Sequence, residues 1–598
     1  MKIHQARERE RFCKRVLSVA DVERYSIQSI DNNEEQSDVV YSVLESLKKW
    51  IHFPEDHKKN SNIVYNPLFM TVTGAGGCGK THVIHVLVNA IEEIFPDVKV
   101  SIKVAPTGSA AFNIFGKTLH STFALNIKSA KKLPSNSQQK RLREDLQESL
   151  LLICDEMSLV SFDHLFGIER NCKNYALGGV NNEKPFGGIP IVMLFGDHNQ
   201  LPSIAKGALN VYNPDGTNNM NGTLEQIKGR EVLRTLATTV KELKTSQRLD
   251  QGTKTFKDIL STLRETGLLS DVQYNVLKSI DVQNVSSERA KFLEDKAMWL
   301  FTTKHECADH NIRMLREKNK DHPVAKMQRV SRSSVNPEKG ITKSHFDDDL
   351  HDLTEGICVS ARVALTRPNL KPDWGLYNGA IGTVISIIYR KGECPNKINP
   401  STKTIFLPQY VVVEFDSYKG PVWNVHKPKQ VPIAPKTKYC TKGHCCMVTY
   451  IPLRLAFSRT LHTFQGQEAG PGKDIPAIVL HAGARTFEGK CPGLLYTGLS
   501  RAANIGNGDI EKSALYLIKP GSDEKRYKDI VHKARSNKSN KEIYERVRTR
   551  RCWQNYLKKN IRKKTFTMDE KKELTEWSKT TKIGKGELHQ IIHFHNNH

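Results

Sequence analysis

Leu68-Phe-Met-Thr-Val-Thr-Gly-Ala-Gly-Gly-Cys-Gly-Lys-Thr81 joins an apolar run to a glycine-rich turn, and Val83, Ile84, Val86, Leu87, Ala90 and Ile91 follow at helical spacing. Strand, loop and helix in that order are the setting in which G-x-x-x-x-G-K-[ST] cradles phosphate. The segment Gly74, Ala75, Gly76, Gly77, Cys78, Gly79 is expected to turn its N–H groups inward, and the helix N-terminus adds positive potential. Lys80 is then placed to reach the β and γ phosphates, with the Thr81 hydroxyl on Mg²⁺. A glycine-rich turn alone does not require both flanks, so the stretch predicts nucleoside triphosphate binding.

Working outward, further apolar runs end in chemistry. Val98–Val104, Leu150–Cys154 and Ile189–Phe195 are bounded by turn or helix signals, which predicts a buried parallel sheet in an α/β fold. Ligands of such sheets lie beyond the carboxyl ends of the strands. Asp155-Glu156 closes one strand: Asp155 is a candidate Mg²⁺ ligand and Glu156 a candidate base for the attacking water. Gly196-Asp-His-Asn-Gln-Leu-Pro202 closes another, with Gln200 placed to sense the γ-phosphate. Upstream, Asp31 is the expected cap of an amphipathic helix (Val39, Val40, Val43, Leu44, Leu47), with Glu34 three residues on. The Gln36 amide offers the donor and acceptor that an adenine edge requires.

The 598 residues predict several domains, and the net charge of +26 points to a polyanion partner, nucleic acid above all. No run approaches the ~20 apolar residues of a membrane span. The first residues lack an apolar signal core, so a soluble intracellular protein without a membrane partner is expected. The twelve cysteines are scattered, unlike a disulfide framework. Cys440, His444, Cys445 and Cys446 cluster without the two spaced pairs of a zinc site, and read as a basic loop with thiols.

The organisation expected is a charged lead-in at 1–30 and a first motor domain at 31–240 with an insert at about 113–148. A second α/β region follows at 241–375 and 451–520, carrying the strand-like segments Met298–Phe301, Ala361–Leu365 and Ala477–Leu480. A small β-barrel at 376–450 interrupts it. A basic extension at 521–598 reads either as a solvated helix pair or as an auxiliary nucleic-acid contact.

In this order, the phosphate loop, Asp155-Glu156 and Gly196–Pro202 resemble superfamily-one helicases. Ser246-Gln-Arg248, Thr460–Gln467 and Tyr496-Thr-Gly-Leu-Ser-Arg501 are similar to that group's later motifs, and Pro106–Ala111 and Thr118–Ser121 to its early DNA-contacting ones. Lys184-Pro-Phe-Gly-Gly188 is similar to a signature of the petite-integration-frequency (Pif) DNA helicases. The resemblance spans roughly residues 30–520. It implies two RecA-like P-loop domains and 5′→3′ movement on single-stranded DNA. Departures are Thr463-Phe464 where the family has Lys-Ser, Ser203 where it has a second Pro, and His198-Asn199 for a Phe-containing pair.

That resemblance implies ATP held between the motor domains, with Arg248 and Arg501 as arginine fingers. It implies Pro106, Thr107, His120, Ser121, His462, Thr463 and Gln465 as DNA contacts. The expected partners are single-stranded and duplex DNA, and the expected state is a monomeric motor. The expected place is the nucleus of a eukaryotic host, with the mitochondrion as a second compartment. The competing readings are a RecD-like or RNA-directed motor and a nucleic-acid-binding relic without turnover.

Overall fold

The computed structural model describes residues 24–125, 133–203, 222–245, 254–265, 269–332, 356–366, 370–394, 406–440, 446–481, 493–519 and 552–598. The chain divides into two compact units. The first comprises residues 1–277, 484–507 and 521–598, and the second residues 278–483 and 508–520.

The first unit is built on six parallel strands: β1 (Leu68–Gly74), β2 (Ser101–Ala105), β3 (Lys117–Thr118), β4 (Leu151–Cys154), β5 (Ile191–Gly196) and β6 (Thr239–Leu243). Their spatial order is β3-β2-β4-β5-β1-β6. β4 and β5 are buried along their whole length, as continuous apolar runs require when helices cover both faces. One face packs Val39, Val43, Leu44 and Leu47 of the helix Glu34–Lys59 with Val83, Leu87 and Ile91 of the helix Lys80–Ile94. The other packs Leu142 and Leu146 with Phe162, Leu165 and Ile168. The cap of Glu34–Lys59 is Asn33, not Asp31: the Asn33 side chain accepts the Gln36 N–H at 3.1 Å. Asp31 instead accepts from the Tyr41 hydroxyl at 3.3 Å.

The basic C-terminal extension differs from a solvated helix pair. Phe566, Leu574, Ile583, Leu588, Ile591 and Ile592 lie in the same core as Val39 and Leu87. Trp553 joins the opposite core, and Leu557 packs with Ala237 and Val240. Asn560–Arg562 also lies along the β6 edge: Val240 N–H donates to Asn560 O at 3.2 Å, and Arg562 N–H to Val240 O at 2.9 Å. An exposed sheet edge is thereby covered. The apolar residues recur three and four apart along Met568–Thr580 and Lys585–Asn597, leaving the lysines on the outer face.

The second unit holds a parallel sheet in the order Ser458–Thr460, Met298–Phe301, Ile478–Leu480, Leu515–Leu517. Ala361–Leu365 does not join it. Arg362–Leu365 pairs antiparallel with Ile381–Ile388 and Leu453–Leu455, in a five-stranded sheet completed by Tyr410–Phe415 and Gln430–Ile433. An apolar run is compatible with either sheet, and only its partners decide. A three-stranded antiparallel sheet contains Gln328–Arg332, Lys436–Tyr439 and Cys446–Tyr450. Cys440 N–H donates to Cys446 O at 3.0 Å, while His444 and Cys445 lie outside the described residues. Among the described residues no helix is long and apolar enough to cross a membrane.

Candidate nucleotide site and nucleic-acid contacts

The loop after β1 has the backbone its glycines allow. Gly77 and Gly79 sit at φ 86° and 88°, the left-handed region that a side chain strains. At Gly74 a Cβ would fall 2.5 Å from Leu243 O and 2.6 Å from Cys78 Sγ, so the loop closes tightly on β6. The Lys80 ammonium donates to Gly74 O at 2.7 Å and Ala75 O at 2.9 Å, which draws it over the loop. Thr81 follows at the first turn of the helix, partly exposed. Gln36 is buried, and its Nε2 donates to Cys78 O at 3.3 Å. That bond braces the loop's backbone from outside.

At the end of β4, Asp155 is buried with its Oδ1 accepting Glu156 N–H at 2.8 Å. Burial and the neighbouring Glu156 charge push the Asp155 carboxyl up to about 7, against the pull of that N–H and of Lys80. Glu156 itself has φ 54° and ψ 49°, a left-handed conformation for a non-glycine residue. Such strain persists where surroundings enforce it, and functional sites are where it concentrates. Gly196 at the end of β5 makes room: a Cβ there would lie 2.8 Å from Met157 N. The Thr81 hydroxyl and the buried Asp155 carboxyl are each the hard-oxygen type of group that Mg²⁺ takes.

The next strand end carries a buried ionic network. The Tyr496 hydroxyl donates to Asp197 Oδ2 at 2.6 Å, and Arg264 Nε lies 3.6 Å from Asp197 Oδ1. Burial alone would raise the Asp197 carboxyl, but Arg264, Lys80, His198 and the Tyr496 hydrogen bond together hold it below its ordinary value. Asp197 is therefore a fixed negative charge beside Lys80. Gln200 is buried, its N–H on Asp197 O at 3.0 Å, and Leu201 N–H donates to Thr497 Oγ1 at 3.0 Å.

Thr497 and Tyr496 belong to the short helix Leu494–Leu499, capped by Ser500 and followed by Arg501. Arg501 is buried, with Nε donating to Thr497 O at 3.2 Å and Nη2 to Ser500 Oγ at 3.1 Å. Its Nη2 is 3.4 Å from where a Cβ on Gly76 would stand. The guanidinium therefore lies against the phosphate loop, and Lys80, Asp155, Glu156, Asp197, Gln200 and Arg501 come together in one unit. Arg248 lies outside the described residues.

The nucleic-acid candidates separate. Pro106 and Thr107 stand at the carboxyl end of β2, where Thr107 Oγ1 caps the next helix by accepting Ala110 N–H at 3.2 Å. His120 and Ser121 follow β3; His120 Nε2 is 3.2 Å from His164 Nε2, and Arg141 donates to Ser121 O at 2.6 Å. His462 and Thr463 lie on the short helix Leu461–Phe464 of the second unit. Thr463 is exposed, His462 partly so, and Gln465 is fully buried.

Sequence reasoning missed three contributors. Arg264 sits on a helix whose buried positions, Phe256, Ile259 and Leu263, mark only a packing face. Tyr496 lies inside a quoted motif, but its aromatic character gave no hint of a carboxylate partner. Gln554 of the C-terminal extension donates to Asn199 Oδ1 at 2.8 Å, inside the loop that carries Gln200. No local pattern could have revealed that bond across the chain.

Residues 56–272 match the model of the PIF1-like helicase family. The "ATP-dependent DNA helicase Pif1" of Psychrobacter sp. (strain PRwf-1) is 33% identical over 136 residues, covering 22% of this chain and 19% of that protein. The "ATP-dependent DNA helicase PIF4" of Trypanosoma brucei brucei is 32% identical over 152 residues, covering 25% of this chain and 18% of that protein. The matched part thus spans about a fifth of these two curated relatives' lengths. A Campylobacter jejuni "ATP-dependent DNA helicase Pif1" is 24% identical over 457 residues, 74% of this chain and 88% of that protein. Among solved structures, the Pif1 helicase from Candida albicans superposes with a TM-score of 0.55 at 22% identity, covering 86% of this chain and 99% of that one. The Pif1 helicase from Bacteroides in complex with ADP-AlF3 and ssDNA gives 0.52 at 20% identity, over 82% and 98%. Residues 56–272 are thus similar to the PIF1-like helicases, and the fold is the one the solved Pif1 helicases have.

Proposed function

We propose that this chain is an ATP-dependent DNA helicase that moves 5′ to 3′ on single-stranded DNA and opens duplex or folded DNA. The observation that carries the reading is the convergence of Arg501 and the Asp197 network on the phosphate loop. A cradle that only bound nucleotide would not require a buried guanidinium beside Gly76.

In this reading the loop Gly74–Gly79 and Lys80 bind the triphosphate, and Gln36 braces the loop. Glu156 accepts the proton of the attacking water, and Gln200 registers the γ-phosphate. Arg501, with Arg248 as its partner from the neighbouring motif, offsets charge developing on the transferred phosphoryl group. Such a finger is worth about 10³–10⁵ in rate, so turnover depends on its placement. Thr81 and Asp155 would hold Mg²⁺, which would supply charge neutralisation to the phosphate oxygens. Pro106, Thr107, His120, Ser121, His462, Thr463 and Gln465 form the DNA track, Gln465 by supporting its neighbours from within.

A base trapped on an aromatic ring is worth about 1–3 kcal/mol, against about 1.4 kcal/mol for an average duplex step. Stepwise capture driven by hydrolysis is therefore sufficient to open a duplex. The proposed division is a first motor domain at 31–240, a second at 241–375 and 451–520, and a small β-barrel at 376–450, with the exception that residues 241–277 and 484–507 pack in the first compact unit. The biological setting that fits is genome maintenance: replication, repair, recombination and telomere upkeep, in the nucleus or mitochondrion, by a monomeric motor.

The test is unwinding of matched duplexes with only a 5′ or only a 3′ single-stranded overhang. Strand separation is expected on the 5′-tailed substrate; preference for the 3′ tail would overturn the polarity, and activity on neither the helicase assignment.

A further inference from the structure

The connection between Tyr410–Phe415 and Gln430–Ile433, in the antiparallel sheet of the second unit, carries an unusual surface. Every residue from Pro421 to Lys429 is exposed. Within it Trp423 is 61% exposed, Val422 54% and Val425 86%. Single exposed hydrophobics are ordinary, whereas three within four residues, one a tryptophan, form a patch. Lysines border it at 419, 427 and 429, with His426 between them.

The patch is built rather than loose. Tyr418 is buried beneath it, and its hydroxyl donates to Pro421 O at 2.8 Å while accepting Trp423 Nε1–H at 3.1 Å. At Gly420 a Cβ would fall 2.5 Å from the Tyr418 hydroxyl oxygen, so a side chain there would have to displace the Tyr418 ring. Asn424 closes the tip, accepting His426 N–H on Oδ1 at 3.0 Å and Lys427 N–H on its carbonyl at 2.9 Å. Lys429 ties the base by donating to Asp416 O at 2.7 Å. Asp416 is paired with Arg362 at 2.5 Å and Asp474 accepts from the Ser417 hydroxyl at the loop's foot, while residues 417–429 themselves carry three lysines and no acidic residue. An indole whose polar end is engaged and whose ring faces solvent among cations matches a nucleobase flanked by phosphates.

We infer that the Ser417–Lys429 loop is a stacking platform for single-stranded nucleic acid, with Trp423 under an unpaired base and the surrounding lysines on the adjoining phosphates. The inference rests on the proposed DNA-motor reading and adds a contact outside the predicted track. The exposed indole beside Lys419, Lys427 and Lys429 matches the alternation of bases and phosphates along a single strand.

The experiment measures binding of a dye-labelled single-stranded oligothymidylate by anisotropy, at fixed salt, for the full chain and for Trp423→Ala and Trp423→Phe. Trp423→Ala should weaken binding about tenfold, and Trp423→Phe should restore most of the loss because it keeps a stacking face. Circular dichroism of the variants should match wild type, since the ring is exposed. Equal affinity of Trp423→Ala and wild type overturns the platform while leaving the motor reading intact. If wild type binds no oligothymidylate at all, the DNA-motor reading falls and the platform with it.

Discussion

Acidification should release the C-terminal helix, and His595 sets the size of the effect. Its ring stacks on Trp50 (centroids 4.6 Å apart, planes 6° apart) and on Phe53 (4.9 Å, 21°), and Nε2 is 2.9 Å from Trp50 O. Burial lowers its pKa to about 4; the Trp50 carbonyl opposes this, and Lys184 and His598 reinforce it. A folded value below the ordinary ~6.5 means that folding favours the neutral ring. The contribution is therefore fully present above about pH 6.5 and is lost as pH falls toward 4. Linkage gives a loss of about 2 kcal/mol at pH 5 and about 3 kcal/mol at pH 4 from this residue alone. Other groups also titrate, so the informative quantity is the difference between wild type and His595→Phe, which keeps the stack and removes the proton. Urea unfolding followed by tryptophan fluorescence at pH 7 and pH 5 reads it. Stability should fall between those pH values by about 2 kcal/mol more in wild type than in the variant. Parallel pH curves for the two proteins would refute the reasoning.

Arg501→Ala should retain ATP binding, measured with a fluorescent nucleotide, while turnover falls by about 10³ or more; equal loss of both would argue against a finger. Gln554→Ala removes the bond to Asn199, worth about 1 kcal/mol, and should lower kcat several-fold with KM little changed; an unaltered kcat would sever the C-terminal segment from the site. Trp553→Ala opens a cavity against Phe162 and should cost about 3–5 kcal/mol in denaturant unfolding; a cost below 1 kcal/mol would mean that the segment is not part of the core.

The sequence made the strand ends legible for a physical reason. Buried parallel strands are continuous apolar runs, and the polar residues that end them, Asp155-Glu156 and Gly196-Asp197, stand at the carboxyl ends where sheets of this kind take their ligands. The phosphate loop was readable because its glycines answer to local backbone geometry. Arg362–Leu365 was not, since an apolar stretch carries no record of its neighbours. The C-terminal helices were obscured by their own lysines: the high charge on one face masked the apolar stripe of Leu574, Leu588, Ile591 and Ile592 on the other. Asp197's partners, Arg264 and Tyr496, are separated from it by dozens to hundreds of residues, and only the fold brings them together.

The central claim is that the Lys80 cradle drives a DNA-responsive ATP hydrolysis cycle. Its most direct test is steady-state ATP turnover of wild type and Lys80→Ala, with and without single-stranded oligothymidylate. The account predicts that the oligonucleotide raises wild-type turnover strongly and that Lys80→Ala shows none of the stimulated rate. Undiminished stimulated turnover in Lys80→Ala, or wild-type turnover indifferent to DNA, would contradict it.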